Sequence, residues 1–282
     1  MTIDESFEKQ IKTIFRPLNT ATLPEPASFS MALKKNIPKK GKYGDVGRAT
    51  ISCFGTAAVD MWHRSVHSFL ISVALADVSP VWASVSGYYS SHYSVRGLAH
   101  LLGYFYIHKE GIIVRVAADK GANICAFGKR ADFKQIANLQ HKGEHDIYWT
   151  LVNASNVFSG DPLFTKNDPY KDESDSRHRN HANYADNIRD YPIFNPPDRE
   201  SLKNKIDRIS KISFTDPRLP DVRKFPDTET VQLLAYHRLV AFRTVLNNTL
   251  GGENNFWNVH RNPSFARDYT NFQLSSETSL LG

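Results

Sequence analysis

Cysteine is scarce in this chain. Cys53 and Cys125 are the two in 282 residues, and neither belongs to a C-x-x-C pair or a Cys/His cluster. That excludes a disulfide framework and a cysteine-based zinc site, and leaves two core thiols as the plain expectation. Long apolar runs are missing too. The stretches Phe69 to Ala76 and Leu98 to Ile107 are broken by Ser72, His100 and Gly103, well short of the roughly 20 residues a bilayer span needs. No membrane helix is expected. The opening residues include Thr2, Asp4, Glu5 and Glu8 instead of a basic patch followed by an apolar run, so no secretory signal is read and a cytoplasmic location is expected.

Several motifs are absent as well: GxxxxGK[ST], a GxGxxG following a strand, GxSxG and HExxH. Without them the phosphate-loop, dinucleotide, hydrolase-elbow and zincin chemistries lack their usual residues, and no cofactor is expected. Among 11 histidines, His63 and His67 share a helical face at i, i+4. They have no third ligand nearby in sequence, so no metal site is expected.

What is present is an ordinary globular composition, 41% apolar and 23% charged, enough for one large core or two modest ones. The net charge of +6 is unevenly placed. Lys34, Lys35, Lys39, Lys40, Lys42 and Arg48 crowd a short stretch opposed by Asp45 alone. Such a run favours polyanions. A solvated loop is the competing explanation, because Pro38, Gly41 and Gly44 lie within it.

Periodicity organises the rest. Ile3, Phe7, Ile11 and Ile14 mark a short amphipathic helix ended by Pro17. Residues 18–47 show neither helical nor strand period and read as an extended basic connector, so that 1–48 forms an N-terminal helix and connector. From about Thr50, Phe54, Ala58, Val66, Phe69 and Val73 trace one face of a long helix. Ser79-Pro80 is a start signal for a second, running to about Leu102. That helix carries a bulky stripe and, beside it, the small residues Ala83, Gly87, Ser90, Ser94 and Gly97, suited to close approach of another backbone. The two helices read as an antiparallel pair.

The period then changes to two. Tyr104 to His108, Ile112 to Ala117 and Asn123 to Phe127, separated by Lys109-Glu110-Gly111 and Asp119-Lys120-Gly121, predict a β meander over about 104–128. Helices are expected again at about Glu144 to Phe158, around Leu202 to Ile212, and from Asp227 to Gly251. The predicted fold is mainly α, a helical bundle over 49–250 with a small antiparallel β meander inserted, followed by a polar tail over 251–282.

Two polar segments stand out. In the first, Tyr89, His92 or Tyr93, Arg96 and His100 share a helical face by their spacing of three and four. Tyrosine and histidine hydrogen-bonded inside a core are the structural alternative. The second, Arg177-His178-Arg179-Asn180-His181-Ala182-Asn183-Tyr184, is too polar to be buried alone. If helical, it stacks Arg177, Asn180, His181 and Tyr184. Arginine can stabilise charge on phosphoryl oxygens, and histidine has the pKa for moving a 2′-hydroxyl proton near neutral pH. A solvated helix paired with Asp172, Glu173, Asp175 and Asp186 is the alternative.

Together these segments resemble the HEPN superfamily. Tyr88, Tyr89, Tyr93, Arg96, Leu101 and Leu102 match its tyrosine-rich helix, and Arg179-Asn180-His181-Ala182-Asn183-Tyr184 is similar to the tyrosine branch of its arginine motif. The match covers about 140 residues, from about Thr50 to Asp190. It departs in two places: Tyr184 stands where nuclease members have histidine, and a β meander interrupts a usually all-helical unit.

The resemblance implies an RNA-targeting protein of a bacterial defence or toxin–antitoxin system, acting as a homodimer or with a partner subunit and without a membrane. Arg179, Asn180, His181 and Tyr184 would carry any metal-independent endoribonuclease chemistry. Arg177, His178, Tyr89, His92 and Arg96 would contact RNA, with Lys34, Lys35, Lys39 and Lys40 adding non-specific affinity. Whether the chain is an enzyme stays open. The alternative is a non-catalytic interaction or regulatory subunit of a larger defence complex, using the small-residue stripe and the aromatic tail; a small-molecule enzyme with a dispersed site is a third reading.

Overall fold

The computed structural model describes residues 5–15, 26–134, 136, 139, 143–155, 199–212 and 228–250. Its helices are α1 (Glu5–Phe15), α2 (Pro26–Lys35), α3 (Arg48–Leu75), α4 (Pro80–Leu101), α5 (Glu144–Ala154), α6 (Arg199–Ser210) and α7 (Thr228–Leu250). The strands are β1 (Tyr43–Asp45), β2 (Tyr104–Ile107), β3 (Ile112–Val116) and β4 (Ile124–Lys129). The protein is mainly helical with one small antiparallel sheet, as the periodicity predicts. Among the described residues no helix is long and apolar enough to cross a membrane.

One correction concerns the connector. Residues 18–47 were expected to be extended, yet Pro26–Lys35 is helical and Tyr43–Asp45 adds a fourth strand. Among its described side chains the helix buries Phe29 and Leu33, at i and i+4, while Met31 is exposed. Two anchors make too weak a period to detect. Tertiary burial decides the conformation, helped by Pro26 at the first position and Lys34 and Lys35 in the last turn, where the helix dipole favours cations.

The described residues fall into two compact units, 5–61 with 95–155 and 244–250, and 62–94 with 199–212 and 228–243. The β meander therefore shares a unit with the N-terminal helices, and the sheet is part of that unit's core.

In the first unit the sheet order is β1-β4-β3-β2, every pair antiparallel. Alternation sends Phe105, Val114, Val116, Cys125 and Phe127 to one face, all buried. Phe29 of α2 meets this face edge-on, with ring centroids 4.7 Å from Phe105 and 4.8 Å from Phe54 of α3. Burial pushes the Cys53 thiol up to about 11 and, with the nearby Asp45 carboxylate, that of Cys125 to about 12. Both are inert core thiols. The opposite face carries Tyr104, Tyr106, Ile113, Arg115, Ala126 and Gly128, and at its edge Tyr43.

In the second unit α3 and α4 run antiparallel along a polar seam. Ser65 Oγ donates to the Ser90 carbonyl at 2.7 Å and Ser90 Oγ to the Ser65 carbonyl at 2.9 Å. Ser65 Oγ also lies 2.6 Å from Ser94 Oγ, and Ser72 Oγ donates to the Ala83 carbonyl at 2.6 Å. Gln232 of α7 donates to the Ser72 carbonyl at 2.8 Å. The small stripe is what permits this approach. A Cβ on Gly87 would stand 2.8 Å from Val231 Cγ1 and 3.1 Å from Ser72 Oγ.

Gly87→Leu should therefore lower unfolding free energy by about 3 kcal/mol, because the overpacking outweighs the roughly 1 kcal/mol gained from helix propensity. Denaturant melts of the variant beside the parent protein read this out; an unchanged midpoint would contradict the packing.

Candidate nucleic-acid interface

The register of the sheet collects the basic residues. Ile112 pairs with Lys129, and Tyr43 with Ala126, so the β2–β3 turn, the end of β4 and the start of β1 lie at one end. The Lys42 carbonyl accepts the Phe127 N–H at 2.7 Å there. Lys39, Lys40 and Lys42 enter that end from α2, joined by Lys109 in the turn and by Lys129, all exposed. Lys34 Nζ forms an ion pair with Glu110 in the same turn. Asp132 is occupied as a cap, its Oδ2 accepting the Lys129 N–H at 2.6 Å. Among the described residues cations thus outnumber acids at this end, and Glu110 and Asp132 are already engaged.

Local backbone geometry pins the lysine segment. A Cβ on Gly44 would stand 2.8 Å from the Asn36 carbonyl oxygen and 3.7 Å from Pro38 Cδ. Only glycine lets the 36–38 segment cross so close to β1. Tyr43, directly before it, is 41% exposed, with the Lys42 ammonium 5.4 Å from its ring centroid. An exposed aromatic ring among lysines is a surface suited to a nucleic-acid strand.

The α4 residues singled out from sequence have other neighbours. His92 is only 5% exposed and stacks on the buried Tyr88, centroids 6.0 Å apart and planes at 15°. Tyr89 is half-buried, edge-on to Tyr88 at 5.2 Å and 5.9 Å from Tyr93. Within the second unit this is an aromatic ladder along one helix.

Arg96, in the first unit, is half-buried with its guanidinium 5.2 Å above the Tyr148 ring of α5. Beside them His100, fully buried, lies with Nδ1 2.9 Å from the Tyr104 carbonyl, its ring 5.4 Å from Phe105 and 5.6 Å from Tyr148. Burial, and after it the Arg96 charge, hold the His100 pKa down at about 3 despite the bond to Tyr104. The ring is therefore neutral, and Nδ1–H donates to that carbonyl. Burial raises Tyr148 above the ordinary phenol value, opposed by Arg96 and by the Tyr106 N–H that its hydroxyl accepts. An imidazole held neutral near neutral pH serves here to hold β2 against α4.

Lys35, Lys39 and Lys40 are exposed, and Lys34 is half-buried in its ion pair. Arg177, His178, Arg179, Asn180, His181 and Tyr184 lie outside the described residues. Sequence reasoning passed over Tyr43, Lys109 and Lys129. Their signal is pairing: each is unremarkable until the register brings its strand end or turn to the others.

A consequence follows for pH. Folded His100 stays neutral while the unfolded chain takes up a proton near the ordinary value of 6.5, so protons favour the unfolded state. Stability should fall as pH drops from about 6.5 toward 3, with this one site contributing up to about 1.4 kcal/mol per pH unit. His100→Gln should flatten that slope in denaturant melts between about pH 7 and pH 5; an equal slope in the variant would mean that His100 is not the titrating group.

No family model, curated protein or solved structure matches the chain.

Proposed function

We propose that the chain binds RNA phosphate through the basic end of its sheet, as an RNA-targeting protein of the HEPN-like kind that its sequence resembles. The observation that carries this reading is the convergence of exposed lysines from three separated segments, 39–42, 109 and 129, on one sheet end around an exposed tyrosine. Lysine ammonium groups neutralise phosphates and release condensed counterions, a term that needs no base sequence and falls steeply with salt. Cleavage, where it occurs, belongs in this reading to Arg179, Asn180, His181 and Tyr184, with arginine on the phosphoryl oxygens and histidine moving the 2′-hydroxyl proton.

A second reading, a non-catalytic subunit docking on a protein partner, draws on Trp82 in the first turn of α4, which is 58% exposed. Large aromatics left on a surface are common anchors of protein interfaces.

Binding of labelled total RNA should weaken sharply between about 50 and 200 mM salt. The double variant Lys39→Ala, Lys40→Ala should lower the slope of log K on log salt by about one per lysine. Lys120→Ala is the control: it sits in the β3–β4 turn at the other end of the sheet, 3.4 Å from Asp119, and should leave the slope alone. Affinity flat across that range would remove the polyanion reading.

Incubation of the same RNA with and without a chelator, beside Arg179→Ala, tests the chemistry. Chelator-resistant cleavage abolished by the substitution is the expected result for a metal-independent ribonuclease; intact binding without cleavage assigns the chain to the non-catalytic reading.

A further inference from the structure

The sheet face above the basic end has a composition that a phosphate-binding role alone does not require. Tyr43 pairs with Ala126, Ala126 with Arg115, and Arg115 with Tyr104. Partners directly opposite in a ladder share a face, so one row crossing all four strands reads tyrosine, alanine, arginine, tyrosine. The next row, Gly128, Ile113 and Tyr106, is largely covered: Ile113 and Tyr106 are buried, Arg130 donates to the Tyr106 hydroxyl at 2.9 Å, and Phe133 lies over Gly128. In the first row Tyr43 is exposed and Tyr104 and Arg115 are half-buried. The Arg115 Nε is buried with no hydrogen-bond partner, a donor that costs stability unless something accepts from it.

From this row we infer that the sheet face is a stacking platform for single-stranded RNA, with a base on Tyr43, Arg115 placed between the two tyrosines as donor to phosphate or base edge, and Tyr104 as the far wall. The inference rests on the RNA reading above and names its substrate class.

Adjacent strands lie about 4.8 Å apart, so Tyr43 and Tyr104 stand three spacings, about 14 Å, from each other. That far exceeds the roughly 3.4 Å rise between stacked bases of one strand. Bases seated on both rings must be splayed apart, which a single strand permits and a duplex does not. Ala126, between Tyr43 and Arg115, is itself buried and adds no exposed surface to the row. The platform is rigid because ladder hydrogen bonds hold all four strands and the 36–38 segment locks Gly44 beside Tyr43. Lys42 and the lysines of the basic end then lie on the path of the backbone leaving Tyr43.

The test compares a labelled short oligouridylate with a blunt RNA duplex of the same length by fluorescence anisotropy on the full chain. The single strand should bind at least about tenfold more tightly. Tyr43→Ala should weaken it by roughly tenfold with the salt slope unchanged, as loss of a stacked base does, and Tyr43→Phe should restore it. Because Tyr43 is exposed, these variants leave the core intact. Arg115→Gln should weaken binding and lower the salt slope if the guanidinium meets phosphate, or weaken binding alone if it meets a base edge. Equal affinity for the duplex, with Tyr43→Ala silent while Lys39→Ala, Lys40→Ala still loses affinity, would overturn the platform and leave phosphate binding standing. Absence of binding to either RNA would overturn both.

Discussion

The contact on which the first unit depends is Phe29 held edge-on between Phe54 and Phe105. Phe29 is 1% exposed and joins three elements that are distant in sequence: α2, α3 and β2. Burying such a ring is worth a few kcal/mol, which is enough to hold the short, weakly periodic α2 in place. The lysine segment begins where α2 ends. It therefore runs from a fixed helix end to a fixed strand and cannot wander as a free loop would, and the position of its charges at the sheet end follows from an aromatic contact several residues away.

Two buried polar clusters answer the cost of desolvation in different ways. The first unit buries His100 in neutral form and places Tyr148 under the Arg96 guanidinium. Low dielectric penalises an uncompensated charge heavily, so a ring that stays neutral near neutral pH is the cheaper solution between α4 and β2. The second unit solves the same problem with serine hydroxyls, which answer the carbonyls of the facing helix at 2.6 to 2.9 Å. Small residues make that geometry reachable and hydrogen bonds make it specific. In both units the side chains that look chemically suggestive in sequence, Tyr88, His92 and His100, are occupied by packing. Among the described residues the basic end of the sheet sets the exposed Tyr43 ring beside exposed lysines.

Much of the fold was legible because it is written in local periods. The long α3 and α4, the Ser79-Pro80 start, the meander turns and α7 all repeat at 3.6 or 2 over enough residues to be read. The antiparallel pairing of α3 with α4 followed from the bulky and small stripes that α4 carries side by side. The reading stopped at α2 and β1, where two buried residues or three paired ones replace a period. The grouping of the meander with α1 and α2 in one unit is likewise not contained in any local period.

What the sequence determined by itself was the class of fold, the helix and strand spans with strong periods, the inert character of the two cysteines, and the excess of lysines near residue 40. Charge and local propensity are properties of neighbouring residues, so they survive without coordinates. Tertiary structure alone decided which lysines meet, that Tyr43 lies in line with Arg115 and Tyr104, and that His92 and His100 are buried. These depend on strand register and on the burial of apolar faces. A register shift of one residue would send every side chain of a strand to the opposite face, and no short stretch of sequence contains both partners of such a pairing.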